Sequence, residues 1–174
     1  MKSDARTRFV KDVQTGKTEF RAKKPFTVER DNKRRFVRLE ISAPMSLKTI
    51  KDLGGNFWPE GDWHIINGVI LNISGGGVLV ELDQAVNESD IVSMHFTLED
   101  VEGLNNVLGV IKRVDAESDC YLAGIEFVSR KALVDHLSKG EVEMLSEDHK
   151  DFDESVRDVL SRYVYREAVA SEAG

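Results

Sequence analysis

The strongest constraint on this chain is a strict two-residue alternation that begins at Val37. Val37, Leu39, Ile41, Ala43, Met45 and Leu47 are apolar, and Arg38, Glu40, Ser42, Pro44, Ser46 and Lys48 stand between them. Successive side chains of a strand point to opposite faces, so this pattern describes a strand with one buried face. Pro44 has no backbone N–H to give to a ladder, and an edge, a bulge or a break is expected there. The segment Asp52–Trp63, DLGGNFWPEGDW, is dense in turn residues and reads as a connection. Further strands are read at Ile65–Ile73, Gly77–Leu82, Ile91–Leu98, Val107–Val114 and Tyr121–Phe127. Six short strands at this spacing predict a mainly β protein built as a six-stranded antiparallel barrel.

The period changes after Phe127. Ser129–Ser138 reads as a helix that Gly140 can end, and Glu141–Val169 as a longer one, with Leu145, Phe152, Val156, Val159 and Tyr163 at offsets of 7, 4, 3 and 4. Such a stripe is usually that of a helix packed on its own domain, with a homodimer seam or a partner-binding helix as the alternative. The expected organisation is a basic N-terminal arm over 1–29, a barrel over 30–128 and C-terminal helices and tail over 129–174. Residues 1–20 and 170–174 lack a firm pattern and are expected to be unstructured.

Charge narrows the partners. The net charge of −7 divides into +8 over residues 1–38, with 13 Lys plus Arg against 5 Asp plus Glu, and −15 over the remainder. DNA and RNA binding rely on a broad basic footprint, which the acidic remainder argues against, whereas a small phosphate-bearing molecule suits the basic entry segment. No apolar run reaches the roughly 18 residues of a membrane span, and the start MKSDARTRFVKD has no signal-peptide core. Cys120 is alone, which excludes an internal disulfide and fits a reducing compartment, so a cytoplasmic location is expected.

Two clusters carry chemistry. In Arg34-Arg35-Phe36-Val37-Arg38, planar guanidiniums four residues apart stand at the mouth of the first strand, where they can grip phosphate or stack on a base. In Asn72-Ile73-Ser74-Gly75-Gly76-Gly77, three glycines offer positive φ and close approach to a ligand, and Asn72 and Ser74 offer short polar groups. Taken singly, the Arg pair is most often a solvated edge and NxSGGG most often a hairpin turn.

Together, in this order, the residues resemble the signature of the PilZ domain, the bacterial receptor module for cyclic di-GMP: RxxxR, met by Arg34 and Arg38, then [D/N]xSxxG, met by Asn72, Ser74 and Gly77. Gly124-Ile125-Glu126-Phe127 is similar to the family's last barrel strand. The resemblance covers about residues 30–128. It implies that Arg34 and Arg38 clamp the phosphates and contact guanine, that Asn72 and Ser74 read guanine edges, and that Gly77 leaves room for the base, with Arg30, Arg35, Gly75 and Gly76 as additional contacts. Arg30 and Arg34 form a second RxxxR pair; the doublet Arg34-Arg35 favours the first register. The Gly54–Trp63 excursion is longer than a minimal family hairpin, and Phe57 and Trp58 there are either exposed anchors for a protein partner or caps on a barrel end.

Enzyme constellations are missing. His64, His95, His136 and His149 have no metal-ligand spacing and read as ordinary surface or strand residues, with no metal or cofactor implied. Ser74 lacks the glycine two residues before it that a nucleophile elbow needs, and no P-loop Lys follows the glycines. Cys120 reads as a small buried residue, without a basic neighbour to stabilise a thiolate. The expectation is a non-enzymatic cyclic di-GMP effector that changes conformation on binding and signals to an unidentified protein partner in the control of motility, biofilm or virulence. The alternative is an adaptor on the same fold that works by protein contact with little or no nucleotide binding.

Overall fold

The structure is a computed structural model that describes residues 36–99, 101, 104–149 and 151–173. Six strands follow in order: β1 Arg38–Lys51, β2 Ile66–Ser74, β3 Gly77–Leu82, β4 Ile91–Phe96, β5 Val107–Ala116 and β6 Tyr121–Phe127. They close into an antiparallel barrel in the order β1-β2-β3-β6-β5-β4, two three-stranded meanders joined along both edges. The expected barrel is therefore the one observed.

The alternation of β1 places Leu39, Met45 and Leu47 in the interior, with Ile70, Ile73, Val80, Met94, Ile111 and Ala123 from the other strands. Fully burying such a side chain is worth about 1.5–3 kcal/mol, which is why one face of β1 can hold the register. Pro44 is exposed and pairs with Val69, and the ladder to β4 starts at the next residue, Met45. The register shift lies between Glu40 and Ala43, just before the proline rather than at it.

The C-terminal region differs from the two expected helices. Lys131–Asp135 is a 3-10 turn, α1 is short at Lys139–Met144, and α2 runs over Glu154–Ala173. Gly140 does not end a helix; it lies inside α1, whose start is fixed by a capping box in which the Ser138 hydroxyl accepts from Glu141 N–H and the Glu141 carboxylate accepts from Ser138 N–H. Asp153 starts α2, its Oδ1 accepting from Val156 N–H at 3.1 Å. The expected tail beyond Val169 is largely helix, because α2 continues to Ala173.

α2, with the residues leading into it, packs on the barrel core along β1 and β2. Phe152, Leu160 and Val164 join the interior core, and Phe152 packs on Phe127 at 4.6 Å between ring centroids. A second core lies outside the barrel. Ile91, Leu108 and Val110 point away from the interior and are covered by Val128, Leu133, Leu137 and Leu145. The expected basic arm, with Arg30, Arg34 and Arg35, lies outside the described residues.

Candidate functional site

Strand register brings the described parts of the two motifs together. Arg38, the first residue of β1, pairs with Ser74, the last of β2, and Glu40 pairs with Asn72. Directly opposed residues share a face with Cβ atoms about 4.5–5.5 Å apart. Since Leu39 and Ile73 between them point into the core, Arg38, Glu40, Asn72 and Ser74 form one outward-facing quartet. Arg38 and Glu40 are exposed and Asn72 and Ser74 half-buried. Glu40, an ordinary polar position in the sequence reading, brings a carboxylate to this group.

The turn after Ser74 is organised by that side chain. Its Oγ accepts from Gly76 N–H at 3.1 Å and Gly77 N–H at 3.3 Å. The hydroxyl thus holds the turn, a task separate from the base reading that the resemblance implies for it. The glycines are also needed for a different reason from the one expected. Among the described residues, positive φ at glycine occurs at Gly55 and Gly61 and not in this triplet. Space is what the triplet provides: a Cβ on Gly77 would collide with the Ile125 carbonyl oxygen of β6. A Cβ on Gly76 would lie 2.8 Å from the Phe36 ring, and one on Gly75 would collide with the Ser161 hydroxyl of α2. Gly75 and Gly76 form a shelf on which Phe36 and α2 rest.

Phe36 in turn lies beneath a cation. The Arg157 guanidinium carbon is 5.6 Å from the centre of the Phe36 ring and 5.4 Å from that of Phe152. Neither Arg157 nor Ser161 was singled out from the sequence. Positions 36, 75 and 161 are linked by no motif, and only the unusual run of glycines hinted that something approaches closely there.

The other candidates are redistributed. Phe57 and Trp58 are half-buried, and Phe57 packs on the outer core; the exposed aromatic of the excursion is Trp63, 89% accessible. His149 is no surface residue. It is buried, with Nε2 2.9 Å from the Pro59 carbonyl and Nδ1 3.2 Å from the Ser93 hydroxyl, and burial holds its pKa below the ordinary imidazole value. Asp90 is buried too, accepting from Leu53 N–H and Asn87 N–H at 3.0 Å each. Desolvation pushes its carboxyl upward. Cys120 is half-exposed rather than buried, and its thiol donates to Glu81 at 3.2 Å; that bond to a carboxylate raises the thiol pKa, which disfavours a reactive thiolate. Among the described residues no group of three or more metal-capable side chains occurs, and no helix is long and apolar enough to cross a membrane.

The model of the PilZ domain family matches residues 32–139, more than half of the chain. The chain belongs to the PilZ domain family. Among solved structures, the Bacillus subtilis inhibitor of motility, MotI/DgrA, is 14% identical with a TM-score of 0.52, over 79% of this chain and 52% of its own. This chain thus spans about half of that protein's length. The PilZ domain of Escherichia coli YcgR, solved with c-di-GMP, is 13% identical with a TM-score of 0.46, over 81% of this chain and 96% of its own. At such identity the likeness to MotI speaks for a shared fold. No curated protein sequence matches this chain.

Proposed function

We propose that this PilZ-domain protein is a receptor for cyclic di-GMP and that occupancy is passed to a protein partner. The observation that carries the reading is the register of β1 on β2, which sets Arg38 opposite Ser74 and two residue pairs from Asn72 on the same outward face. A guanidinium beside two hydrogen-bonding side chains suits a ligand that offers both phosphate oxygens and a purine edge. Arg34 and Arg38 clamp the phosphates in this reading, and Asn72 and Ser74 meet guanine. The c-di-GMP in the YcgR structures of the same family supports the choice of nucleotide.

A second reading, an adaptor that hardly uses nucleotide, draws support from one feature. The glycine shelf is already covered by Phe36 and Ser161. Titration calorimetry separates the two. Under the receptor reading cyclic di-GMP binds and cyclic di-AMP does not, and Arg34→Ala and Arg38→Ala each lose about 1.5–3 kcal/mol of binding, roughly ten- to a hundredfold, with the fold intact. Arg30→Ala, more damaging than either, would move the clamp to Arg30 and Arg34. Absence of binding by the unmodified chain would leave the adaptor.

A further inference from the structure

We infer that Arg157 is a further ligand arginine, contributed by α2, whose guanidinium bonds a phosphate oxygen of the bound cyclic dinucleotide. The inference rests on the receptor reading above and extends its site from the two sequence motifs to the C-terminal helix.

Three observations converge on this residue. The first is an unmet donor. The Arg157 Nε is buried and has no hydrogen-bond partner among the described residues, and Nη2 reaches the Phe127 carbonyl only at 3.5 Å, at the long limit of a bond. A guanidinium carries five N–H donors, and leaving one of them buried and unpaired is costly unless a ligand completes it. The second is the lack of a carboxylate partner: the ion pairs among the described residues join Lys51 to Glu141, Lys112 to Glu126, Arg113 to Asp115 and Arg166 to Glu167. The nearby Asp153 has its Oδ1 engaged by Val156 N–H and the Ser155 hydroxyl.

The third is position. Arg157 stands over Phe36, whose ring lies on the Gly75–Gly76 shelf. Phe36 is two residues before Arg38, and the shelf directly follows Ser74. One helical turn further along α2, Ser161 abuts Gly75. The Arg157 guanidinium carbon lies within 5.6 Å of the Phe36 and Phe152 ring centres, and packing against two rings limits the entropy lost when its fork engages an anion. A packing arginine needs only its stem and charge, whereas an arginine that bonds a phosphodiester needs the planar fork.

The test is titration calorimetry of the full chain with cyclic di-GMP, alongside melting without ligand, for the unmodified protein and for Arg38→Ala, Arg157→Gln and Arg157→Lys. The expected result is a loss of about tenfold or more in affinity for Arg157→Gln and only partial recovery in Arg157→Lys, with unliganded melting essentially unchanged. An affinity within about twofold of the unmodified protein in Arg157→Gln, while Arg38→Ala is weakened, overturns the inference and leaves the receptor reading standing. Should Arg157→Gln fail to fold, Arg157→Lys decides: reduced affinity supports the fork, and full affinity overturns it. No binding by the unmodified chain overturns both.

Discussion

The outer face of β1 and β2 carries Arg38, Glu40, Asn72 and Ser74 toward solvent, whereas that of β4 and β5 carries Ile91, Leu108 and Val110 beneath Leu133, Leu137 and Leu145. Both pairs of strands belong to the same barrel and share its interior. The difference lies in what covers them. A strand covered on one side alternates, as β1 does, and can present polar groups on the other; a strand covered on both sides becomes a continuous apolar run, as Val107–Ile111 nearly is. Under the receptor reading the ligand meets the open face, and the covered face holds the C-terminal segment that leads to α2.

The largest expected effect tests whether the covering layer is a core in its own right. Leu133 is fully buried, so Leu133→Ala is expected to cost about 2–5 kcal/mol in chemical denaturation. Asn72→Ala, on the open face, is expected to stay within about 0.5 kcal/mol. Under the receptor reading the contrast is expected to reverse for binding, with a folded Leu133→Ala keeping its affinity for cyclic di-GMP and Asn72→Ala losing it. Equal stability losses in the two variants would mean that the outer layer is a loose cover.

A smaller effect appears only with acid. His149 is held between the covering segment and the barrel: its Nε2–H donates to the Pro59 carbonyl, and its Nδ1 faces the Ser93 hydroxyl. Burial is the main cause of its lowered pKa, and Arg130 adds to it, against opposing contributions from the Pro59 carbonyl, Asp148 and Glu60. The unfolded chain takes up a proton near the ordinary value of 6.5 and the folded chain only at lower pH. Between those two values the unfolded state holds more protons, so stability is flat above the ordinary value and falls as pH drops through the window. Unfolding free energies measured from about pH 8 to 5.5 should show that fall, and His149→Gln should flatten it. An identical slope in the variant would place the pH sensitivity elsewhere.

The sequence disclosed the two faces unequally. Alternation in β1 and the motif spacing were sufficient for the barrel, for its strand boundaries to within a few residues, and for the residues that the register sets together at Arg38 and Ser74. The outer core was not legible, because Leu133, Leu137 and Leu145 form no helical stripe of their own and are buried by tertiary contact from a 3-10 turn and a short helix. His149 and Asp90 were illegible for the same reason: a buried polar residue is distinguished by its partners, here Pro59 and Ser93 for His149 and Leu53 for Asp90, all far off in the chain. The glycine triplet is legible in the sequence as a place of close approach, but Phe36, Ser161 and Ile125 are what approach it, and backbone φ does not require it.

The smallest expected effect divides the open face itself. Ser74 and Asn72 lie two residues apart on the same face of β2, and the resemblance implies the same reading of guanine for both, but their side chains are placed differently. The Ser74 hydroxyl holds the β2–β3 turn through the N–H groups of Gly76 and Gly77, and the turn is tied onward by Phe127 N–H donating to the Gly76 carbonyl at 2.9 Å. Ser74→Ala therefore removes an acceptor from two backbone donors and is expected to cost about 1 kcal/mol of stability. Because the turn also carries the shelf under Phe36, affinity should fall modestly in the same variant, and Ser74→Thr, which keeps the hydroxyl, should recover stability first. Asn72→Ala should do the opposite, weakening binding with little change in melting. If Ser74→Ala leaves melting untouched while abolishing affinity, the hydroxyl reads the ligand directly, and the turn is held by its glycines and by β6 alone.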